Sequence, residues 1–182
     1  GAAVSQEKPP AGAKVLARAV GQQPFSNTAA VKALNNTKIS AGSLFSLREW
    51  LNDGEAGSGN EDLQDWSYAA SLLYEAAMKA GMEPVERHIG LELPAYASPG
   101  FEADVSGVQR DLKVYNVAEF DVWITVDVNG QQLEIRIVGE PGQNWEAPKL
   151  TVKVERFKPS AKVLVDFAQF GSYEEQLGME GL

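Results

Sequence analysis

The chain has 182 residues, a formal net charge of −9 and no cysteine. Hydrophobic residues make up 44% and charged residues 23%, a globular composition that excludes a collagen, a coiled coil and a disordered tail. The missing cysteines exclude a disulfide framework, a zinc–thiolate site and a cysteine nucleophile. The acidic balance argues against nucleic acid as a partner, and no apolar stretch approaches the ~20 residues that span a bilayer.

The chain begins with a small, polar and proline-bearing segment. Residues 1–12 include Pro9-Pro10 and predict a flexible linker, which is compatible with N-terminal tethering of the domain that follows. Residues 13–170 are predicted to form a single domain. Its helical part covers about 13–81 and its β part about 84–170.

Three helices are predicted in the helical part. The first two cover residues 27–34 and 39–51. The third is the strongest, because Ser58 and Glu61 form a capping-box pattern and Gly81 can take the left-handed conformation that ends a helix. Its apolar residues step by three and four and form one stripe: Leu63, Trp66, Ala70, Leu73, Ala77 and Ala80. This stripe predicts a central helix.

From Pro84 onward the apolar period changes to two. Apolar and polar residues alternate over residues 122–128 and again over residues 133–137. Asn129-Gly130 lies between the two segments and is a strong signal for a hairpin turn. A second hairpin is predicted from residues 150–154 and 163–167.

Shorter strands are predicted over residues 85–88, 92–96 and 111–115, and an acidic, frayed tail over 171–182. Helices followed by strands predict an α+β fold. In this fold the central helix packs on a mostly antiparallel sheet.

Several short motifs follow one another between Pro84 and Gly139. They are Glu86-Arg87-His88, Pro94-x-Tyr96, Pro99-Gly100, Asp111-Leu112-Lys113 with Asn116, and the hairpin of residues 122–139. In this order and spacing they resemble the conserved part of the VanW-like family, which is named for an accessory protein of vancomycin-resistance clusters. Residues 39–46 are similar to the family's Pro-Gly-Glu-x-Phe-Ser segment, so the resemblance runs from about residue 27 to residue 139.

The departures from the family pattern concern three positions. Ser67 falls where the family has a Cys at the start of its central helix, Gly90 falls on its second His, and Glu102 falls on its Asp. By analogy with the chain order of papain-like and transglutaminase-like enzymes, we hypothesise that this Cys, His and Asp form a catalytic trio in the family. A serine without a base is a poor nucleophile. The chain is therefore expected to be a non-catalytic member.

The resemblance implies a bacterial, extracytoplasmic protein of the cell envelope, secreted or tethered at the cell surface. We expect it to bind or scaffold a cell-wall component such as peptidoglycan, or an envelope protein. No cofactor and no metal are expected, because one histidine and no cysteine leave few ligands for zinc. A third interpretation is a purely structural module whose acidic surface maintains solubility.

The alternative is a cell-wall hydrolase or transferase of cysteine-peptidase-like architecture. It would use Ser67 as nucleophile, His88 as base and Glu102 as acid. Such an enzyme requires the Ser67 hydroxyl to lie in a cleft within hydrogen-bond reach of His88.

Five side chains are candidates for ligand binding: Arg87, His88, Tyr96, Glu102 and Trp123. Structural roles compete with these interpretations, since His88 can bond within the sheet and Arg87 can pair with a carboxylate. Trp123 is expected on a sheet face that is either exposed or covered by another segment. Several aromatic residues could also line a carbohydrate platform, with core packing as the competing role: Trp50, Trp66, Trp123, Trp145, Tyr68, Tyr74 and Tyr96.

Overall fold

The computed structural model describes residues 2–26, 28–53, 63–107, 109–155 and 174–180. Its helices are α1 (Thr28–Lys32), α2 (Leu47–Asp53) and α3 (Leu63–Lys79). Its strands are β1 (Val4–Gln6), β2 (Lys14–Val20), β3 (Thr37–Ile39), β4 (Leu44–Ser46), β5 (Glu83–Glu86), β6 (Lys113–Tyr115), β7 (Val122–Asn129), β8 (Gln132–Gly139), β9 (Lys149–Glu155) and β10 (Glu174–Glu180).

The described strands form three sheets, in which every pairing is antiparallel. The largest has the order β1-β3-β7-β8-β2, the second has the order β4-β6-β5, and β9 pairs with β10. Helix α3 contacts β2, β5 and β8. The predicted α+β fold with a helix packed on an antiparallel sheet is confirmed.

Helix α3 is enclosed by the rest of the fold. All of its side chains from Trp66 to Met78 are buried, so the predicted apolar stripe is only part of its buried surface. Small residues such as Ala69 and Ala76 let neighbouring elements approach on the other sides. The predicted capping box of Ser58 and Glu61 lies outside the described residues.

The end of α3 agrees with the sequence prediction. Gly81 has a φ of 88°, and its N–H donates to the Met78 carbonyl at 3.0 Å. The N–H of Met82 donates to the Ala77 carbonyl at 3.0 Å. These two bonds define a Schellman motif, which a glycine at this position permits because it has no Cβ to clash.

The hairpin of β7 and β8 forms as predicted, but its turn lies one residue later. Asn129 pairs with Gln132, so the loop residues are Gly130 and Gln131. Gly130 has a φ of 65°, the positive value that a type II′ turn requires at its first central position. This register places Val128 opposite Leu133.

The helix predicted over residues 39–51 is helical only from Leu47. Residues 44–46 form β4 instead, because they pair with β6. Ser46 then caps α2, since its hydroxyl accepts the Glu49 N–H at 3.1 Å. A strand of three residues is too short to show an alternation of apolar and polar residues. The capping pattern Ser-x-x-Glu, from Ser46 to Glu49, was the sequence signal for the start of α2.

Two terminal segments take part in sheets. Residues 4–6, inside the predicted linker, pair with β3, and Val4 packs against the core. Residues 174–180, inside the predicted frayed tail, pair with β9. The predicted partner strand over residues 163–167 lies outside the described residues. The domain boundaries themselves stay a prediction.

The shorter strand predictions have mixed outcomes. Those over residues 85–88 and 111–115 correspond to β5 and β6, whereas residues 92–96 form no strand. Pro94 lies within this segment and removes a backbone donor from it. Within the part of the chain that the structure describes, no helix is both long and apolar enough to cross a bilayer.

Candidate functional site

Ser67 and Ser71 lie one turn apart on α3 and face the same segment of chain. The Ser67 hydroxyl accepts the Val105 N–H at 3.0 Å, and the Ser71 hydroxyl accepts the Ala103 N–H at 2.8 Å. Alternate N–H groups of an extended chain point to the same side, so two hydroxyls at i and i+4 can receive them. We call this arrangement the serine clamp; it holds residues 103–105 against the helix.

The Ser67 hydroxyl is buried and fully engaged. Its residue is 1% exposed, and its Oγ donates to Asp104 Oδ1 at 3.1 Å. Asp104 also accepts bonds from the N–H and hydroxyl of Ser106 and pairs with Arg110. Burial raises the pKa of the Asp104 carboxyl, but the bonds from Ser106 and Ser67 and the charge of Arg110 outweigh it and hold that pKa below its usual value.

These contacts do not activate Ser67 as a nucleophile. A carboxylate whose pKa is lowered is a weak base near neutral pH, so Asp104 is poorly suited to remove the Ser67 proton. The Val105 N–H donates to Ser67 itself and is not directed at an external oxyanion. The arrangement is that of a structural hydroxyl.

Tyr96 closes the site on one side. Its ring stacks on Tyr68 with centroids 4.9 Å apart, and its hydroxyl is hydrogen-bonded to Ser67. Burial raises the pKa of Tyr96 to about 12, and the negative charges of Glu102 and Asp104 act in the same direction. Tyr96 therefore keeps its proton at neutral pH and is not a base.

Gly90 and Glu102, the positions aligned with the family's His and Asp, lie together. The Glu102 carboxylate accepts the Gly90 N–H at 2.9 Å, and a Cβ on Gly90 would lie 3.2 Å from the same oxygen. Glu102 is 3% exposed. Two of the three aligned positions, Gly90 and Glu102, are therefore in contact. Tyr96 lies between this pair and Ser67, since its hydroxyl bonds to Ser67 and the charge of Glu102 raises its pKa.

His88 does not join this group. Its ring nitrogen Nε2 bonds to the Glu86 carboxylate at 2.9 Å, and its backbone carbonyl accepts the Asp104 N–H at 2.8 Å. In the described residues no hydrogen bond joins His88 to Ser67, so the geometry that the enzyme alternative requires is not formed. The competing interpretation, a histidine bonded locally beside its strand, describes His88 better.

Arg87 and Trp123 have structural environments. The Arg87 guanidinium lies 5.0 Å from the Tyr74 ring centroid and donates from Nε to the Glu102 carbonyl at 2.6 Å. Trp123 is 6% exposed, and the Lys38 ammonium lies 5.6 Å from its ring centroid. Of the two predicted settings for Trp123, the covered face is correct, which leaves little of its ring for a ligand.

Sequence reasoning missed two residues that organise the site. Asp104 is the centre of the polar network, and Ser71 completes the serine clamp. The i,i+4 spacing of two serines on an alanine-rich helix was a signal for Ser71, whereas no spacing along the chain pointed to the role of Asp104. A third residue, Asp111, belongs to a quoted motif and accepts the Arg48 N–H at 2.9 Å and the Ser46 hydroxyl at 2.5 Å.

No group of three or more His, Asp or Glu side chains among the described residues is placed to hold a metal ion. The expected absence of metal and cofactor stays a prediction.

Comparison with known proteins agrees with the motif-based resemblance. No curated protein and no solved structure matches the chain significantly. A family model described as "VanW like protein" matches residues 67–138. This match begins at Ser67 and includes Gly90, Glu102 and all but the last residue of the β7–β8 hairpin. Over residues 67–138 the chain is therefore similar to the VanW-like family.

Proposed function

We propose that the protein is a non-catalytic, extracytoplasmic component of a bacterial cell envelope that binds a cell-wall component, with peptidoglycan as the partner. The observation that carries the non-catalytic part is the state of Ser67. The residue is 1% exposed, and its hydroxyl is already hydrogen-bonded to Asp104 and to the Val105 N–H.

The envelope assignment is supported by the VanW-like match over residues 67–138. The family is named for an accessory protein of vancomycin-resistance clusters, and the resemblance implies a role at the cell envelope. A wall ligand is the partner class that this association favours. Binding without catalysis needs no activated nucleophile. This agrees with a Ser67 hydroxyl that is bonded to Asp104 and a His88 ring that is bonded to Glu86.

The test is co-sedimentation of the full chain with purified, protein-free peptidoglycan sacculi. We expect the protein to sediment with the sacculi at about 150 mM salt, where charges more than ~8 Å apart are screened. An unrelated protein of similar net charge is the control for trapping by the sacculi. Chromatography of the supernatant detects any soluble wall fragments.

Two results would contradict the proposal in different ways. Failure to sediment at any salt concentration would reject the wall partner and favour the purely structural interpretation. Release of wall fragments by the protein would instead reject the non-catalytic assignment and restore the enzyme alternative.

A further inference from the structure

A cavity of about 430 Å³ lies away from the serine clamp, at the C-terminal end of α3. Its walls are residues 80–82, the loop of residues 116–120 and the segment of residues 142–145. Its volume falls within the ~300–1,000 Å³ that is typical of small-molecule sites. The cavity has walls from three separate parts of the chain.

The cavity combines aromatic rings with available polar groups. Phe120 and Trp145 contribute the rings, and both are partly buried. Glu119, Gln143 and Asn144 are exposed at its rim, and their side chains form no hydrogen bond or ion pair within the described residues. These amides and this carboxylate are able to bond a ligand without first giving up a protein partner.

The lining excludes several ligand classes. Its described residues include no lysine or arginine, so they offer no cation to pair with a phosphate or a carboxylate ligand. The same residues include a single carboxylate, Glu119, whereas a divalent cation needs several oxygen ligands. A neutral ligand with an apolar face and polar edges fits the remaining chemistry.

We propose that this cavity is a saccharide-binding site that takes an N-acetylated sugar of a glycan chain. A sugar ring presents C–H groups on its face, which pack on aromatic rings such as Trp145, and hydroxyls at its edge, which bond to amides such as Gln143. The exposed apolar side chain of Val117 provides a surface for the acetyl methyl group. The identification of the sugar as a wall glycan rests on the proposed function.

One wall of the cavity is held in place before any ligand binds. The buried side chain of Asn116 donates to the Phe120 carbonyl at 3.0 Å and to the Ile39 carbonyl at 3.2 Å, while its oxygen accepts the Ala118 N–H at 3.1 Å. These bonds fix the loop that carries Glu119 and Phe120. A preformed wall lowers the ordering cost of binding.

The test is a titration of the full chain with N-acetylglucosamine tetrasaccharide. Binding is measured by calorimetry and by the change in tryptophan fluorescence. We expect saturable binding that Trp145→Ala weakens at least about tenfold and Gln143→Ala about threefold or more. Trp145→Phe keeps a ring in place, so it should retain most of the affinity measured by calorimetry while losing the fluorescence change.

Gln131→Ala is the matched control for Gln143→Ala. It removes the same exposed amide from the β7–β8 turn, at the opposite end of β7 from the cavity residue Val122, and should leave affinity unchanged. A glucose tetrasaccharide tests the acetyl group, and we expect it to bind about tenfold more weakly. Unfolding midpoints of all variants establish that each one is folded.

Three outcomes would overturn the inference: no binding of the acetylated tetrasaccharide, equal loss in the Gln131→Ala control, or equal affinity for the glucose tetrasaccharide. Sedimentation with sacculi combined with no tetrasaccharide binding would reject this cavity as the glycan site and leave the proposed function in place. Tetrasaccharide binding without sedimentation would support the site and reject the wall as partner.

Discussion

The serine clamp and the cavity at the end of α3 differ in what their polar groups do. At the clamp, the hydroxyls of Ser67 and Ser71 accept backbone N–H groups of residues 103–105. At the cavity, Gln143 and Asn144 have no protein partner within the described residues. A buried polar group must be bonded internally to be tolerated, whereas an exposed one is available for a ligand. The comparison separates residues that hold the fold from residues that could bind.

The two regions also relate differently to the motif-based alignment. Ser67, Gly90 and Glu102, which the sequence analysis aligned with a Cys, a His and an Asp of the family, lie in or beside the buried network. Of the cavity lining, residues 142–145 lie beyond the matched segment of residues 67–138, whereas residues 80–82 and 116–122 lie within it. Function resides in sites and not in the fold itself, so each region has to be tested by its own variants.

The largest expected effect is on the serine clamp. Ser67→Ala and Ser71→Ala each leave a buried N–H without an acceptor, so each should lower the free energy of unfolding by about 1–3 kcal/mol. Urea denaturation monitored by circular dichroism measures this change. Ser98→Ala removes an exposed serine hydroxyl and should change the free energy of unfolding by less than about 0.5 kcal/mol. Parent-like midpoints for both clamp variants would show that the clamp contributes nothing to stability.

A smaller effect is expected on how the free energy of unfolding falls at acid pH. The folded-state pKa of Asp104 is held below its unfolded value, so its contribution to stability is complete above the unfolded pKa of about 3.9 and is lost as pH falls through the folded pKa. Asp104→Asn should therefore make the fall in stability below about pH 4 less steep. Urea midpoints measured from neutral to acid pH test this.

Asp127→Asn is the control for that experiment. Asp127 is exposed on β7 and has no ion-pair partner among the described residues, so its replacement removes a surface carboxylate and should change the free energy of unfolding at neutral pH by less than about 0.5 kcal/mol. An Asp104→Asn curve parallel to that of the parent would mean that the network around Asp104 does not lower its pKa.

The smallest expected effect is on the stability of cavity variants. Gln143→Ala and Asn144→Ala remove exposed side chains without protein partners, so the free energy of unfolding should change by less than about 0.5 kcal/mol. The same urea experiment measures it. A loss comparable to that of Ser67→Ala would show that these amides support the fold, and the contrast between the two regions would disappear.

Much of the fold could be predicted from local patterns. The period of α3, the glycine that ends it and the alternation of β7 and β8 are all properties of neighbouring residues. Strands β1 to β4 and β10 were missed. Strands β1, β3 and β4 have three residues each and show no period, and the strand state of β2 and β10 depends on pairing with β8 and β9. The turn of the β7–β8 hairpin was misplaced by one residue, since Asn129 pairs with Gln132 and leaves the turn to Gly130 and Gln131.

The candidate site was predicted only in part for a similar reason. Motif order identified Ser67, Gly90 and Glu102 as related positions, and Gly90 and Glu102 are in contact. The roles of Ser71 and Asp104 depend on which chain segment passes beside α3, and no spacing along the sequence encodes that. The pairing of His88 with Glu86 depends in the same way on how β5 ends.

The sequence by itself determined the fold class, the central helix and the VanW-like motifs, because each depends on residue types at short spacing. It also determined that no thiol is present, and the motif order led to the hypothesis that Ser67 stands at the family's Cys position. Only the tertiary structure decided what that serine does. Burial and the approach of residues 103–105 commit its hydroxyl to the backbone, since a polar group enclosed by the fold must bond to whatever the fold brings beside it.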